Sequence, residues 1–349
     1  MDLFNLGTRP WQDSQSIYHA LAHLGREAIC LVEPASPYVC LGYHQDAVKE
    51  LDLEYIAREG IPVFRREVGG GAVYLDRGQL FYQFILRKDD PRVPPDKGEL
   101  FRSLLQPAID TYREFGVPAE YKPVNDILAN GKKISGNGAA EIHGRVVVVG
   151  NFLLDFNFEK MARVLRAPDE KFRDKVFKTL QEHLTTLPRE TGKPAPSLEE
   201  LSASFIRRCE TLFGPLIPRE PDSELRARAD AIAAEYSAPG WVMENDRREQ
   251  AGREVKIAEG VIVIERVGKL PGGLVRASAV NAGGRLRDIH LSGDFFFYPA
   301  SRLADLERAL EDVELQLDPL AQRIEWFYQT YGISAPGIKP SELAEVLCS

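Results

Sequence analysis

The residues able to do chemistry concentrate in two short stretches. One is Asn125-Asp126-Ile127-Leu128-Ala129-Asn130-Gly131-Lys132-Lys133-Ile134-Ser135-Gly136. It holds an amide, a carboxylate and a lysine close together. The other, upstream, is Arg65-Arg66-Glu67-Val68-Gly69-Gly70-Gly71-Ala72-Val73-Tyr74. Three consecutive glycines strip the side chains from a piece of backbone. The main chain there can touch a ligand, and it can take positive φ without steric cost. The arginines before it bring fixed charge and planar donor forks that match phosphate or carboxylate. Asn125, Asp126 and Lys133 add possible metal-ligating oxygens and a point charge. Together the two stretches point to a pocket for an acyl phosphate, where a nucleotide activates an acid. The bland alternatives are a glycine turn and solvated hairpin lysines, and Lys132 reads as one of those.

Secondary structure must carry these groups. Residues 126–128 and 132–134 flank Asn130-Gly131, a strong signal for a two-residue hairpin. Residues 61–67 read as a strand leading into the glycines, 80–87 as another, and 145–156 as a long buried one. Short apolar strands at 28–33 and 38–42 are separated by Pro34 and Pro37. Helical patterns cover 14–25, with Ile17, Leu21 and Leu24 on one face, then 52–59, 99–115, a stretch starting over 159–166, 198–213 and 224–236. A proline-rich loop at 89–98 and a polar loop at 189–196 interrupt them. Pro239-Gly240-Trp241 closes the large part, and the charged run 246–252 reads as a linker. Beyond it come strands 254–257, 261–267, 274–281 and 285–291, with turns at Gly272-Gly273 and Gly283-Gly284. Helices at 300–310 and 318–331 follow. The expected class is α+β: a mixed, mostly antiparallel sheet with covering helices, plus a small α+β C-terminal domain. The expected domains are 1–245 and 252–349.

Composition narrows the function. At 349 residues the chain can bury a substantial core. With 44% hydrophobic and 28% charged residues it reads as an ordinary globular protein. A net charge of −8 disfavours nucleic acid as a partner. No apolar run is long enough to span a membrane, and the Met1-Asp2-Leu3-Phe4 start lacks a signal-peptide pattern, so a cytoplasmic protein with no membrane partner is expected. Cys30, Cys40, Cys209 and Cys348 match no metal spacing; Cys30 and Cys40 read as small core residues of strands. His19 and His23 stand four apart on a helical pattern but have no evident third ligand, so packing is the expected role.

The triple glycine, the Asn-Asp pair and the Lys-Ile-Ser-Gly tetrad, in this order, resemble the lipoate–protein ligase family. The resemblance runs from about residue 11 to the Trp241 region. It continues more loosely through Gly293-Asp294-Phe295-Phe296. It implies the fold shared by biotin and lipoate ligases, with an accessory C-terminal domain. It also implies an ATP-dependent ligase that activates lipoate or octanoate as an acyl-AMP, with Mg²⁺. The acyl group would then pass to a lysine of a lipoyl-carrier protein, an apo lipoyl domain or an H-protein-like carrier. By the same resemblance Arg66, Gly69, Gly70, Gly71 and Ala72 form the substrate loop. Asn125 and Asp126 lie near nucleotide and metal, with Asp126 the metal ligand. Lys133 is the catalytic lysine that contacts acyl carbonyl and phosphate. Gly136 follows in its motif, and Gly150 is the glycine of the family's His-Gly-Thr strand. Strand residues such as Val73, Leu128 and Ile134 are candidates to line the acyl chain.

The chain departs from the family at several positions. It has Val68 where serine precedes the glycines and Tyr74-Leu75-Asp76 for Tyr-His-Asp. It has Val149-Gly150-Asn151 for His-Gly-Thr, and no arginines near 179–184, where a nucleotide loop aligns. The first three changes remove polar groups from around the ligand. Two alternatives stay open. One is a transferase moving octanoyl or lipoyl groups through a cysteine thioester, although no cysteine lies between Cys40 and Cys209. The other is a non-catalytic paralogue that binds lipoyl carriers.

Overall fold

The computed structural model describes residues 1–245, 255–258 and 261–349. The chain divides into two units. The first comprises Met1–Leu41, Val48–Glu67 and Ala72–Val242. The second comprises Gly42–Ala47, Val68–Gly71 and Met243–Ser349. The expected linker at 246–252 lies outside the described residues.

The first unit carries β1 (Asp2–Arg9), β2 (Ala28–Pro34), β3 (Tyr38–Leu41), β4 (Val63–Arg65), β5 (Val73–Leu75) and β6 (Gln79–Arg87). It continues with β7 (Ala119–Lys122), β8 (Asp126–Ala129), β9 (Lys132–Ser135), β10 (Gly138–Ile142), β11 (Arg145–Leu153) and β12 (Ile217–Pro218). A six-stranded sheet runs β10-β11-β6-β2-β1-β12. It is antiparallel from β10 to β2 and parallel around β1. Two three-stranded sheets, β4-β3-β5 and β7-β8-β9, complete the unit. This is the α+β class with mostly antiparallel pairing that the sequence implied.

The central strands are buried on both faces, and helices supply the cover. The Asp13–His23 helix packs on β2 and β6, and the Lys97–Glu114 helix packs against β11 and the Leu198–Phe213 helix. Tyr82, Phe84, Phe152 and Phe205 are fully buried and pack ring to ring between these layers. Edge-to-face aromatic pairs of this kind add about 0.5–1.5 kcal/mol each beyond area burial. Helix starts follow local chemistry. Asp96 caps Lys97–Glu114 by accepting from the Glu99 amide, and Ser197 with Glu200 makes a capping box for Leu198–Phe213.

The second unit has the antiparallel sheet β13 (Val255–Ala258), β14 (Val261–Leu270), β15 (Gly273–Ala282) and β16 (Arg285–Gly293) in sequential order. Helices Leu303–Leu310, Leu317–Tyr331 and Pro340–Cys348 bury Leu306, Ile324, Phe327 and Leu347 in its core.

Several expectations are corrected. Residues 179–183 belong to a helix, Glu170–His183, and not to a loop. Asp169 caps that helix, and Phe172, Val176 and Leu180 recur along it at helical spacing although none of its residues is buried. A short helix, Leu187–Thr191, ended by Gly192 at φ 67°, takes in the start of the loop expected at 189–196. The strand expected at 61–67 is only Val63–Arg65, and 145–156 shortens to Arg145–Leu153. Strand β1 and the Pro340–Cys348 helix were not anticipated. The β14–β15 turn is Pro271-Gly272, so Gly273 already belongs to the strand.

Candidate functional site

The hairpin forms where Asn130-Gly131 requires it. Both residues take positive φ, 48° and 79°, which fits a turn matched to right-handed strand twist. A register shift between Ile127 and Leu128 pairs Leu128 with Lys133. Such a bulge re-aims side chains. Lys133 Nζ meets Asp126 Oδ1 at 2.7 Å, with side-chain exposures of 36% and 29%. An ion pair this open contributes at most about 1 kcal/mol, so both partners stay available to a ligand. The strand beneath is fixed: Thr185 N donates to Lys133 O at 2.9 Å, and Tyr112 Oη donates to Ile134 O at 2.7 Å. Ile134 is fully buried, whereas Leu128 and Val73 are half-buried.

Behind the hairpin lies a chain of amides. Gly136 N donates to Asn151 Oδ1 at 2.9 Å, and Asn151 Nδ2 donates to Gln79 Oε1 at 3.1 Å. Gln79 Nε2 then donates to Asp76 Oδ1 at 3.1 Å. Burial pushes the Asp76 carboxyl up to about 6; the Gln79 hydrogen bond opposes this and the Asp155 charge adds to it. Beside this chain, Tyr82 Oη donates to Asn137 Oδ1 at 2.6 Å. The bare Cα of Gly150 has a packing cause. A Cβ there would lie 2.2 Å from Asn137 Oδ1 and 2.4 Å from Tyr82 Oη.

The triple glycine belongs to the second unit and is held by residues of that unit. Gly70, at φ 93°, donates its N–H to Phe295 O at 3.4 Å. A Cβ on Gly69 would fall 2.8 Å from Phe295 O and 3.0 Å from Phe296 Cδ1. One on Gly42 would fall 1.8 Å from Gly70 O. At Gly71 the nearest atom would be Asp294 Cβ at 3.8 Å, an ordinary contact. Close packing therefore accounts for Gly69 and the left-handed backbone for Gly70.

The two arginines before the loop have different roles. Arg65 is fully buried and donates to the carbonyls of Trp241 and Val242. It is a structural clamp, contrary to the reading of both arginines as ligand forks. Arg66 Nη1 lies 3.3 Å from Cys40 O and 3.5 Å from Cys40 Sγ. Cys30, Cys40 and Cys209 are buried, and burial raises all three thiols; only Cys348 is exposed. His19 and His23 both turn toward Glu67. His23 Nε2 lies 2.8 Å from its carboxylate, and the Glu67 amide donates to His19 Nε2 at 3.1 Å.

Asn125, Asp126, Lys133, Gly136 and Gly150 thus form one connected patch in the first unit, which also contains Arg66 and Ala72; Gly69, Gly70 and Gly71 are in the second. Sequence reasoning missed Asn137, Gln79 and Tyr82, and it took Asn151 only as part of a loss of polar groups, whereas its amide hydrogen-bonds to both Gly136 and Gln79. The only signal was position, since Asn137 directly follows the tetrad and Asn151 directly follows Gly150. Asp126 can offer one carboxylate to a hard cation. Among the described residues no three His, Cys, Asp or Glu cluster as metal ligands. The donor set fits an ion that takes most of its ligands from phosphate and water, as Mg²⁺ does. No helix among the described residues is long and apolar enough to cross a membrane.

Comparison with known proteins adds to this geometry. Residues 9–210 match the family model described as the lipoyl protein ligase A/B catalytic domain. Lipoate-protein ligase A subunit 1 of Thermoplasma acidophilum is 34% identical over 227 residues, 60% of this chain and 82% of that protein. Lipoate-protein ligase LplJ of Bacillus subtilis is 29% identical over 186 residues, 50% of this chain but only 55% of LplJ. Octanoyltransferase LipM of Kyrpidia tusciae is 28% identical over 229 residues, 59% of this chain and 82% of that protein. Among solved structures, the bi-partite lipoate protein ligase of Thermoplasma acidophilum, described with its E2 lipoyl domain, has a TM-score of 0.60 at 26% identity. It covers 72% of this chain and 98% of that one. A lipoate-protein ligase A bound with ATP has a TM-score of 0.56 at 25% identity, over 69% of this chain and 98% of that one.

Proposed function

The chain belongs to the lipoyl protein ligase A/B catalytic-domain family, and from that membership we propose that it is an ATP-dependent ligase acting on lipoate or octanoate. In the first step a carboxylate oxygen of the acid attacks the α-phosphorus of ATP, and pyrophosphate leaves. In the second, the ε-amine of a carrier lysine attacks the acyl carbonyl and loses a proton, and AMP leaves. The ATP-bound neighbour supports the nucleotide, and the E2 lipoyl domain described with the Thermoplasma ligase supports a lipoyl-carrier protein as the acceptor.

The observation that carries this reading is the half-exposed Lys133–Asp126 pair. Attack of a carboxylate on a phosphate brings like charges together, and a fixed ammonium lowers that barrier. Lys133 would neutralise charge at the α-phosphate and lie against the acyl carbonyl. Asp126 would hold Mg²⁺, whose charge would offset that of the phosphates. Asn125, Arg66 and the glycine loop through Ala72 would orient the two substrates. Gly136 and Gly150 would leave room for them and for the supporting amides.

A cysteine-thioester transferase is the competing reading, because octanoyltransferases are among the relatives. It needs a nucleophilic cysteine, and burial raises the thiols of Cys30, Cys40 and Cys209, with the Arg66 guanidinium beside Cys40 opposing that rise. Substitution of Lys133 separates the two. Lys133→Ala should lower kcat for ATP-dependent acylation by about 10²-fold or more while the protein stays folded. Near wild-type turnover of this variant would sink the ligase assignment.

A further inference from the structure

Two asparagines close a loop around the candidate site. Asn137 Nδ2 donates to the backbone carbonyl of Asn125 at 2.8 Å. Asn125 Nδ2 donates in return to the backbone carbonyl of Asn137. A carbonyl can only accept, so both amide orientations are fixed. The residues between them include Asp126, the Asn130-Gly131 turn and Lys133. The clasp is also anchored from below. Asn137 Oδ1 accepts from Tyr82 Oη at 2.6 Å and from Ser135 Oγ at 3.2 Å, and Asn137 is 8% exposed. The missing side chain of Gly150 leaves space for Asn137.

We propose that Asn137 is a positioning residue: through the reciprocal Asn125–Asn137 clasp it fixes where Asp126 stands relative to Lys133. The reasoning is geometric. Asp126 is the first residue after one end of the clasp, and the hairpin register shift lies between it and Lys133. A bulged four-residue strand pair can slide or splay, and two hydrogen bonds closing its open end prevent that. This rests on the ligase reading for its kinetic consequence and on the clasp alone for its structural one.

The test uses the full chain with Asn137→Ala and Asn137→Ser. Serine keeps a polar group but is one bond too short to donate to the Asn125 carbonyl. Turnover with ATP, Mg²⁺, lipoate and an apo lipoyl domain should fall at least about tenfold in kcat, as expected when reacting groups are misplaced by a fraction of an ångström. The Mg²⁺ midpoint should rise, and KM for lipoate should stay within about twofold, since no lipoate contact is removed. A merely structural role would lower the melting temperature without moving the Mg²⁺ midpoint. In parallel, NMR of the wild-type protein should show slow exchange of the Asn137 side-chain amide protons. Backbone exchange over 125–137 should quicken in a folded variant. Wild-type kcat and Mg²⁺ midpoint in a folded variant would overturn the proposal, as would fast-exchanging Asn137 amide protons. If the wild type itself lacks ATP-dependent turnover, the ligase reading fails, and the exchange measurements still decide the clasp.

Discussion

At the scale of single residues, Lys133 and Asp126 form the partly exposed charge pair of the candidate site. Each is open to solvent and each is held by the other. Exchanging that weak pair for phosphate and cation costs little, so the pair can hold the ammonium ready without locking it. Asp76 is the opposite case. Burial raises its carboxyl to about 6, with Gln79 opposing and Asp155 reinforcing. Its folded form therefore holds a proton that the unfolded chain has already released between about pH 4 and pH 6. Stability drawn from Asp76 is present at low pH and is lost as pH rises through about 6. His19, lowered to about 4 by burial, slopes the other way. Comparing wild type with Asp76→Asn isolates the Asp76 part, because the amide still accepts from Gln79. The difference in melting temperature should shift in favour of the variant from pH 4 to pH 7. A difference that is flat with pH would mean that Asp76 ionises normally in the folded protein.

Among the elements, the β6–β11 pair is the platform of the site. It carries Gln79 and Tyr82 on one strand and Gly150 and Asn151 on the other, with Gly150 opposite Tyr82. Gly150→Ala must push a Cβ into Asn137 and Tyr82. Overpacking of this kind costs roughly 1–3 kcal/mol, which urea unfolding should show as a lower midpoint at unchanged slope. A neutral result would mean that the amide layer yields easily. Much of this architecture was legible in the sequence where the cause is local. Asn130-Gly131 announces the hairpin, and the apolar period of 198–213 gives its helix to the residue. The tetrad makes Lys133 the candidate, and the hairpin sets it beside Asp126. What stayed hidden has distant causes. Arg65 reads like Arg66 until Trp241 and Val242 take up its donors. Gly69 reads as a ligand-approach glycine until Phe295 and Phe296 occupy the space. Asn137 pairs with Asn125 across the mouth of the hairpin and with Tyr82 on a distant strand, neither of which a spacing rule points to.

For the whole molecule, we propose that residues 1–245 form the catalytic part and 252–349 an accessory domain. The Val68–Gly71 and Gly42–Ala47 segments group with the C-terminal residues, and Gly70 N bonds to Phe295 O. A chain ending at Asn245 loses those partners of the glycine loop. It should make the acyl adenylate poorly from ATP yet retain more of its transfer from supplied lipoyl-AMP. Equal loss of both half-reactions in a folded truncation would contradict this division. The most direct measurement on the intact protein is the mass of an apo lipoyl domain after incubation with it, lipoate and Mg²⁺, with and without ATP. The ligase account predicts that the carrier gains one lipoyl group only when ATP is present, with AMP and pyrophosphate released. An unmodified carrier, or acyl transfer that needs no nucleotide and passes through a thioester trapped on a cysteine, would contradict it.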